Sequence, residues 1–330
     1  MNSLQTRKFA FFLALAIFGL IAPHILDTFW VSLIMQILVF GLLALAVDLL
    51  IGHVGIFPLG HAAFFAVAAY TTAILEARHA QPTLVAAFAG VASALILALF
   101  FGLAVRTKGV YFILVTMAMG HIVWGVATRW SSFTGGDNGV GNIPLPKVGS
   151  LAVSGYRDYY YVVLIVVVIF TLAYRVIVRS PFGTTLRGIR ESESRMRSLG
   201  YHVAAHKYAA FVLSGGLAGV AGVLYIYLNR FVSPPTAAFH LSAEVSLMAI
   251  VGGSGTILGP FLGSVVILII RNYVSAHLMQ WATVMGVVFI LTVLYAPKGL
   301  MGLIGRHSSP GLSPAVNRSP QKNESNRSQG

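Results

Sequence analysis

About ten stretches of this chain are apolar for close to the ~20 residues that an α-helix needs to cross a bilayer. They run roughly over 9–26, 28–50, 59–75, 83–105, 109–127, 159–178, 207–229, 241–257, 260–275 and 278–296. This pattern restricts the chain more than any other feature. Inside hydrocarbon every backbone N–H and C=O must be bonded within the protein, which leaves helices and closed barrels, and segments of this length are helices. The expected fold is an all-α polytopic membrane protein with about 8–10 transmembrane helices. Polar residues interrupt the fifth segment, and the eighth is short and ends in Gly252-Gly253-Ser254-Gly255. Both are candidates for re-entrant or broken helices.

Composition agrees and excludes other classes. The chain is 57% hydrophobic and 9% charged, with a mean hydropathy of +0.82; a soluble domain is about 25% charged. There is no cysteine, so disulfides and thiolate metal sites are absent. The net charge of +13 would suit nucleic acid, but the basic residues flank apolar spans, where the positive-inside rule puts them. With the N-terminus inside, sixteen Lys and Arg fall on the cytoplasmic side, among them Arg7, Lys8, Arg106, Lys108, the seven from Arg175 to Lys207, and five from Lys298 onward. Six fall outside: Arg78, Arg129, Lys147, Arg157, Arg230 and Arg271. That asymmetry places both termini in the cytoplasm and requires an even number of crossings; eight crossings with two re-entrant segments keep the same parity. Removing the first segment as a signal peptide would put the mature N-terminus outside, and no small-x-small cleavage site follows it.

The expected organisation is a transmembrane domain over 1–306, with a cytoplasmic loop at about 179–206 and an external loop at about 128–158. The tail 307–330 is rich in Ser, Pro, Asn and Gln, cannot bury a core, and is expected to be disordered.

Four regions carry chemistry. The basic loop places Leu186, Ile189, Met196 and Leu199 near helical spacing with arginines between them, an apolar strip with a charged border that suits docking into a partner's groove. Any large cytoplasmic loop carries Lys and Arg, so part of this charge simply sets topology. Residues 52–61, Gly52-His53 through Gly60-His61, separate two apolar segments; Pro58 sits just before the next helix begins, as suits a residue that belongs at a helix start, and helix ends of this kind hold anionic groups in transporters. His53 and His61 lack a third ligand, so a packing or hinge role outweighs a metal. Asp48 and Glu244 are the carboxylates within or at the ends of apolar segments, near enough to opposite faces for interfacial water to solvate them. Outside, Thr134-Gly135-Gly136-Asp137-Asn138-Gly139 carries turn signals. It reads as a tight connection, or as a structured surface that receives substrate or a delivery protein. Asp137 alone is too few carboxylates for calcium. Gly252 to Pro260 superficially resembles a phosphate loop, but the Gly-Lys-Ser/Thr ending is absent from the whole chain. Pro260 is expected to open the following helix.

On these residues the chain resembles the permease subunits of ATP-binding-cassette importers for branched-chain amino acids, and the larger of the two permease types in those systems. The matching stretches are Gly52 to Phe65, Lys108 to Thr116, Thr134 to Gly139 with Ile143-Pro144, Phe182 to Gly200, and Val251 to Thr256 with Gly259-Pro260, in that order and within about residues 30–300. The resemblance implies that 182–200 is the coupling segment for an ATPase subunit, with Phe182, Gly183, Arg187, Arg190, Glu191 and Gly200 at matching positions. Here Ser194-Arg195-Met196-Arg197-Ser198 stands where many relatives have an Ala-rich stretch. It implies that Gly52, His53, Gly60 and His61, with Asp48 beside them, line a translocation path, and that the Thr134–Pro144 loop faces a solute-binding protein. The implied assembly is a second, homologous permease, two ATPase subunits that bind the ATP, a soluble binding protein and the bilayer of a bacterial inner membrane, with no cofactor in this chain and no nucleic acid. Relatives that carry urea or short amides share these motifs. Two other classes make distinct demands. An ion-coupled secondary transporter would depend on Asp48 or Glu244, and a membrane enzyme would need clustered His, Asp or Glu at one depth.

Overall fold

The computed structural model describes residues 19, 21–148, 151–152, 155–275, 283–284, 286–287, 290, 294 and 299–304. The first and tenth apolar segments lie largely outside the described residues, as do Arg7, Lys8, Lys298 and the 307–330 tail.

Most of the described chain is helical, with one two-stranded hairpin and short irregular connections. Helix α1 (Thr28–Asp48) runs on through a π-helical turn, Leu49–Val54. After an extended run over 55–60 come α2 (His61–His79) and α3 (Thr83–Phe101), the latter closing in a 3-10 turn, Gly102–Arg106. Helix α4 (Val110–Arg129) leads into the external loop, which holds a single helical turn, Ser131–Thr134, and the two-residue strands β1 (Lys147–Val148) and β2 (Leu151–Ala152), paired antiparallel with Lys147 opposite Ala152. Helix α5 (Tyr156–Arg179) returns to the other side, where α6 (Pro181–Glu191) and α7 (Glu193–Ser198) follow. Then come α8 (Val203–Asn229), α9 (Phe239–Gly252), α10 (Gly259–Ser275) and the short α11 (Gly299–Ile304).

Five of these elements are long and apolar enough to cross a membrane: Thr28–Val54, Thr83–Arg106, Val110–Arg129, Tyr156–Arg179 and Val203–Asn229. Two of them, α1 and α8, are buried over most of their length and form the centre; the other three are largely exposed. Helix α3 shows why. Its inward stripe is Ala86, Gly90, Ala94 and Ala98, whereas Val85, Phe88, Ile96 and Phe100 face outward. Large apolar side chains turned away from the protein and small ones turned toward it suit a helix whose outer solvent is lipid, because close backbone approach supplies the packing. The facing helix α8 matches: a Cβ on Gly222 would land on the backbone oxygen of Phe65 in α2.

One expectation needs correction. The fifth segment is not broken; α4 is one continuous helix of 20 residues. Its polar side chains bond to the preceding turn, as with the Thr116 hydroxyl to Phe112 O at 3.0 Å and Thr128 to Trp124 O at 2.9 Å, so their hydroxyls need no break in the helix. Pro58 stands ahead of α2 in the extended run, three residues before His61, and its carbonyl accepts from Ser246 Oγ at 3.4 Å. The fold is all-α, with the two-residue strands β1 and β2 a minor hairpin in the loop before α5. The eighth segment does stay short: α9 has 14 residues and stops at Gly253, whose φ of +116° no longer follows a helix. At 1.5 Å per residue it spans about 21 Å, less than the hydrocarbon thickness. Pro260 falls in the first turn of α10.

Contacts between distant residues sort the connecting segments into two groups. Arg78, at the end of α2, donates to Ser132 O at 2.8 Å, and Val140 bridges Val232, so the segments assigned to the outside meet one another. The segments assigned to the inside meet around Asp48.

Candidate functional site

Helix α1 ends in a π turn, and the chain then reverses toward α2, so the end of the helix is tightly crowded. Asp48 sits there fully buried. Its Oδ1 accepts from the Gly255 N–H at 2.8 Å and its Oδ2 from the Tyr174 hydroxyl of α5 at 3.1 Å. The same hydroxyl lies 3.3 Å from His53 Nδ1. One carboxylate thus joins α1, α5 and the turn between α9 and α10. Gly52 makes this possible, because a Cβ there would stand 2.6 Å from Asp48 Oδ1 and overlap the backbone of Gly255. From the surface helix α6, Arg190 reaches in and donates to Gly52 O. A last-turn carbonyl has no partner within its own helix, and the guanidinium satisfies it.

Residues 55–60 then run back into the helix bundle. Leu59 N donates to Thr116 Oγ1 at 3.1 Å. Gly60 packs against the backbone of Thr116, and Ala62 N donates to Ser242 Oγ at 3.0 Å. His61 opens α2; its Nε2 lies 2.7 Å from Ser214 Oγ of α8, and that hydroxyl donates to Ala46 O. The two histidines of the 52–61 segment are therefore not brought together. His53 belongs to the Asp48 cluster and His61 to the α8 contact. Among the described residues no three His, Cys, Asp or Glu side chains converge as metal ligands. Gly52, His53, Gly60, His61 and Asp48 are all buried, so as the chain stands they join helices and line no open channel.

The carboxylates differ from the sequence reading. Neither Asp48 nor Glu244 relies on interfacial water, since both are buried. Glu244 is paired with Arg271 of α10 at 3.2 Å, and that guanidinium also stands over the Phe40 ring at 5.4 Å. A third buried carboxylate, Glu76 in α2, accepts from Tyr227 at 2.7 Å. Sequence reasoning missed Glu76 because α2 runs past the end of its apolar segment. It missed Tyr174 as well, although a buried tyrosine hydroxyl usually finds a hydrogen-bond partner.

The basic loop folds as two helices. Ser180 caps α6, its hydroxyl accepting from Gly183 N at 3.4 Å, with Pro181 in the first turn. Ser192 interrupts the helix and caps α7, accepting from Arg195 N at 3.3 Å. Gly200, with φ +85°, closes α7 through Tyr201 N to Met196 O at 3.1 Å. The expected outward apolar strip does not form. Leu186 and Ile189 are buried against the chain's own body, and Met196 packs on Gly188; only Leu199 is exposed. A short amphipathic helix buries its apolar face wherever one is offered, and the ends of the membrane helices offer it first. The outward surface is polar: Thr184, Arg187, Arg190, Glu191, Arg195 and Arg197 are all exposed. Phe182 stacks on His206 at 5.8 Å, Gly183 is buried beneath the helix start, and Lys207 pairs with Glu193 to hold α7 to α8.

In the loop after α4, Thr134 Oγ1 donates to Ala127 O at 2.7 Å and accepts from Gly136 N at 3.2 Å. Gly135, Gly136 and Gly139 all have positive φ, and Val140 pairs with Val232 in both directions at 2.8 and 2.9 Å. The turn is pinned at both ends and presents Asp137 and Asn138 to solvent.

Buried polar joints between helices and a shell of large apolar side chains turned outward fit a polytopic membrane protein. The chain belongs to the family described as branched-chain amino acid transport system / permease component, whose model matches residues 29–296. It is 27% identical to the high-affinity branched-chain amino acid transport system permease protein LivM of Salmonella typhimurium, covering 88% of this chain and 74% of that one, and to the same protein of Escherichia coli over the same shares. A probable branched-chain amino acid transport permease, LivH of Methanocaldococcus jannaschii, is 27% identical over 45% of this chain and 50% of its own length. No solved structure matches the chain.

Proposed function

We propose that this chain is one of two permeases in an ATP-driven importer that carries branched-chain amino acids, or a similar small polar solute, into the cell. Two separate ATPase subunits bind and hydrolyse the ATP, and a soluble binding protein delivers the solute to the external side. The transport reading rests on the family; the ATP-driven part rests on one observation. The helix pair α6–α7 is anchored to the membrane helices by its buried apolar face, while Arg187, Glu191, Arg195 and Arg197 are exposed to solvent. A rigid polar platform without an exposed apolar strip suits a partner that pushes on it and is itself charged. ATP binding draws the ATPases together, α6–α7 moves, and the helices above it switch access from outside to inside. No bond in the solute changes.

Protein donors occupy both Asp48 and Glu244, the carboxylates that the ion-coupled reading names, whereas Oε2 of the buried Glu76 has no hydrogen-bond partner.

Purifying the protein from its native membrane in mild detergent tests the reading. The wild type is expected to bring an ATP-binding-cassette subunit with it, and Arg195→Glu/Arg197→Glu to lose that subunit while keeping its thermal stability, since both side chains are exposed. Retention of the subunit by the double variant would contradict the docking assignment.

A further inference from the structure

The arginines of α6–α7 do not all do the same thing. Arg195 and Arg197 face solvent, and Arg187 reaches only the carbonyls of Gly183 and Val178, both at 3.4 Å, at the junction of α5 and α6. Arg190 instead crosses to the end of α1 and donates to Gly52 O, 138 residues earlier in the chain. Its aliphatic stem lies along Gly55, whose φ is +80°; a Cβ there would stand 2.8 Å from Arg190 Cγ. On its other side is Gly255, where a Cβ would stand 3.7 Å from Arg190 Nη1. Both neighbours are glycines, so the guanidinium has a slot between α1 and the turn before α10. Gly255 bonds to Asp48, and Asp48 to Tyr174. A single side chain of the cytoplasmic helix thus enters a cluster in which three membrane segments already meet.

We propose that Arg190 is a transmission residue and not a docking one. It ties α6 to the cytoplasmic end of the core helix α1. A displacement of α6 is handed to Gly52, and through Asp48 to Tyr174 of α5 and to the 253–256 turn. The inference rests on the importer reading above. A packed core shifts between discrete arrangements, so a tie at this point moves the buried helix with the surface one. Without the tie, α6 moves and α1 does not follow. ATP is then hydrolysed with little transport.

The experiment compares wild type, Arg190→Ala, Arg190→Lys and Asp48→Ala, each purified with its ATPase partners and reconstituted in liposomes with the binding protein. It reads co-purified ATPase, ATP hydrolysis, and labelled leucine taken up per ATP hydrolysed. Arg190→Ala is expected to retain the ATPase and its hydrolysis while uptake per ATP falls about tenfold. Arg190→Lys keeps a donor for Gly52 O and is expected to recover most of the loss. Combining Arg190→Ala with Asp48→Ala is expected to cost little more than either change alone, because both cut the same tie. A merely structural role would lower assembly, hydrolysis and uptake together. Unchanged uptake per ATP in Arg190→Ala would overturn the proposal. So would loss of the ATPase from that variant, which would make Arg190 a docking residue and leave the importer reading intact. A wild type that purifies without any ATPase overturns the importer reading itself, and the proposal with it.

Discussion

Gly52 shows how closely one position is determined. The π turn brings its Cα against the backbone of Gly255, and a methyl group would meet both that backbone and Asp48 Oδ1. The backbone on the far side cannot swing away as a side-chain tip can, so the clash must open the cluster. Gly52→Ala is expected to lower thermal stability by about 1–3 kcal/mol and to cut transport more steeply than stability. Gly125 in α4 is the control, with nothing within 4 Å of an added Cβ; Gly125→Ala should leave both unchanged. Equal effects at the two positions, measured by thermal unfolding in detergent, would contradict the packing at Asp48. The sequence marked Gly52, His53 and Asp48 as special because glycine, histidine and a carboxylate break an apolar run. It did not reveal that Tyr174, Gly255 and Arg190 complete the cluster. Those contacts join positions more than a hundred residues apart, and nothing in local spacing encodes them.

At the scale of elements, the helix pair α6–α7 teaches a similar lesson. The amphipathic spacing of Leu186 and Ile189 was legible and the helix is there, but periodicity gives a face without saying what covers it. The break at Ser192 was legible only as a serine with a glutamate after it, a pattern common in exposed loops. Because Leu186 is fully buried and Leu199 is 66% exposed, the two leucines separate the alternatives. Leu186→Ala should destabilise the protein by about 2–5 kcal/mol through the cavity it leaves, and Leu199→Ala by no more than about 0.5 kcal/mol. The reverse order in thermal unfolding would restore the outward apolar strip. Helix α4 makes the complementary point: threonines that look like interruptions in a hydropathy plot are self-satisfied by bonds to the preceding turn.

For the whole molecule, most of the architecture could be read in advance. Hydrophobic length marked the helices, five of which are long and apolar enough to cross a membrane among the described residues, and the structure brings together the segments that the bias of Lys and Arg assigned to each side. The division into central and lipid-facing helices could not be read, since α1 and α3 are similarly apolar and differ only in what surrounds them. The orientation is open to direct test, because the chain has no cysteine to interfere. A membrane-impermeant thiol reagent added to intact cells is expected to label Asn138→Cys and to spare Leu199→Cys; labelling of both from one side would contradict the topology.

The central claim is that this chain moves solute only when separate ATPases act on α6–α7. Uptake of labelled leucine into liposomes that hold the purified assembly tests it most directly, with binding protein outside and ATP either inside or absent. The account predicts accumulation that requires ATP and disappears with Arg195→Glu/Arg197→Glu. Accumulation driven by an ion gradient without ATP would contradict it.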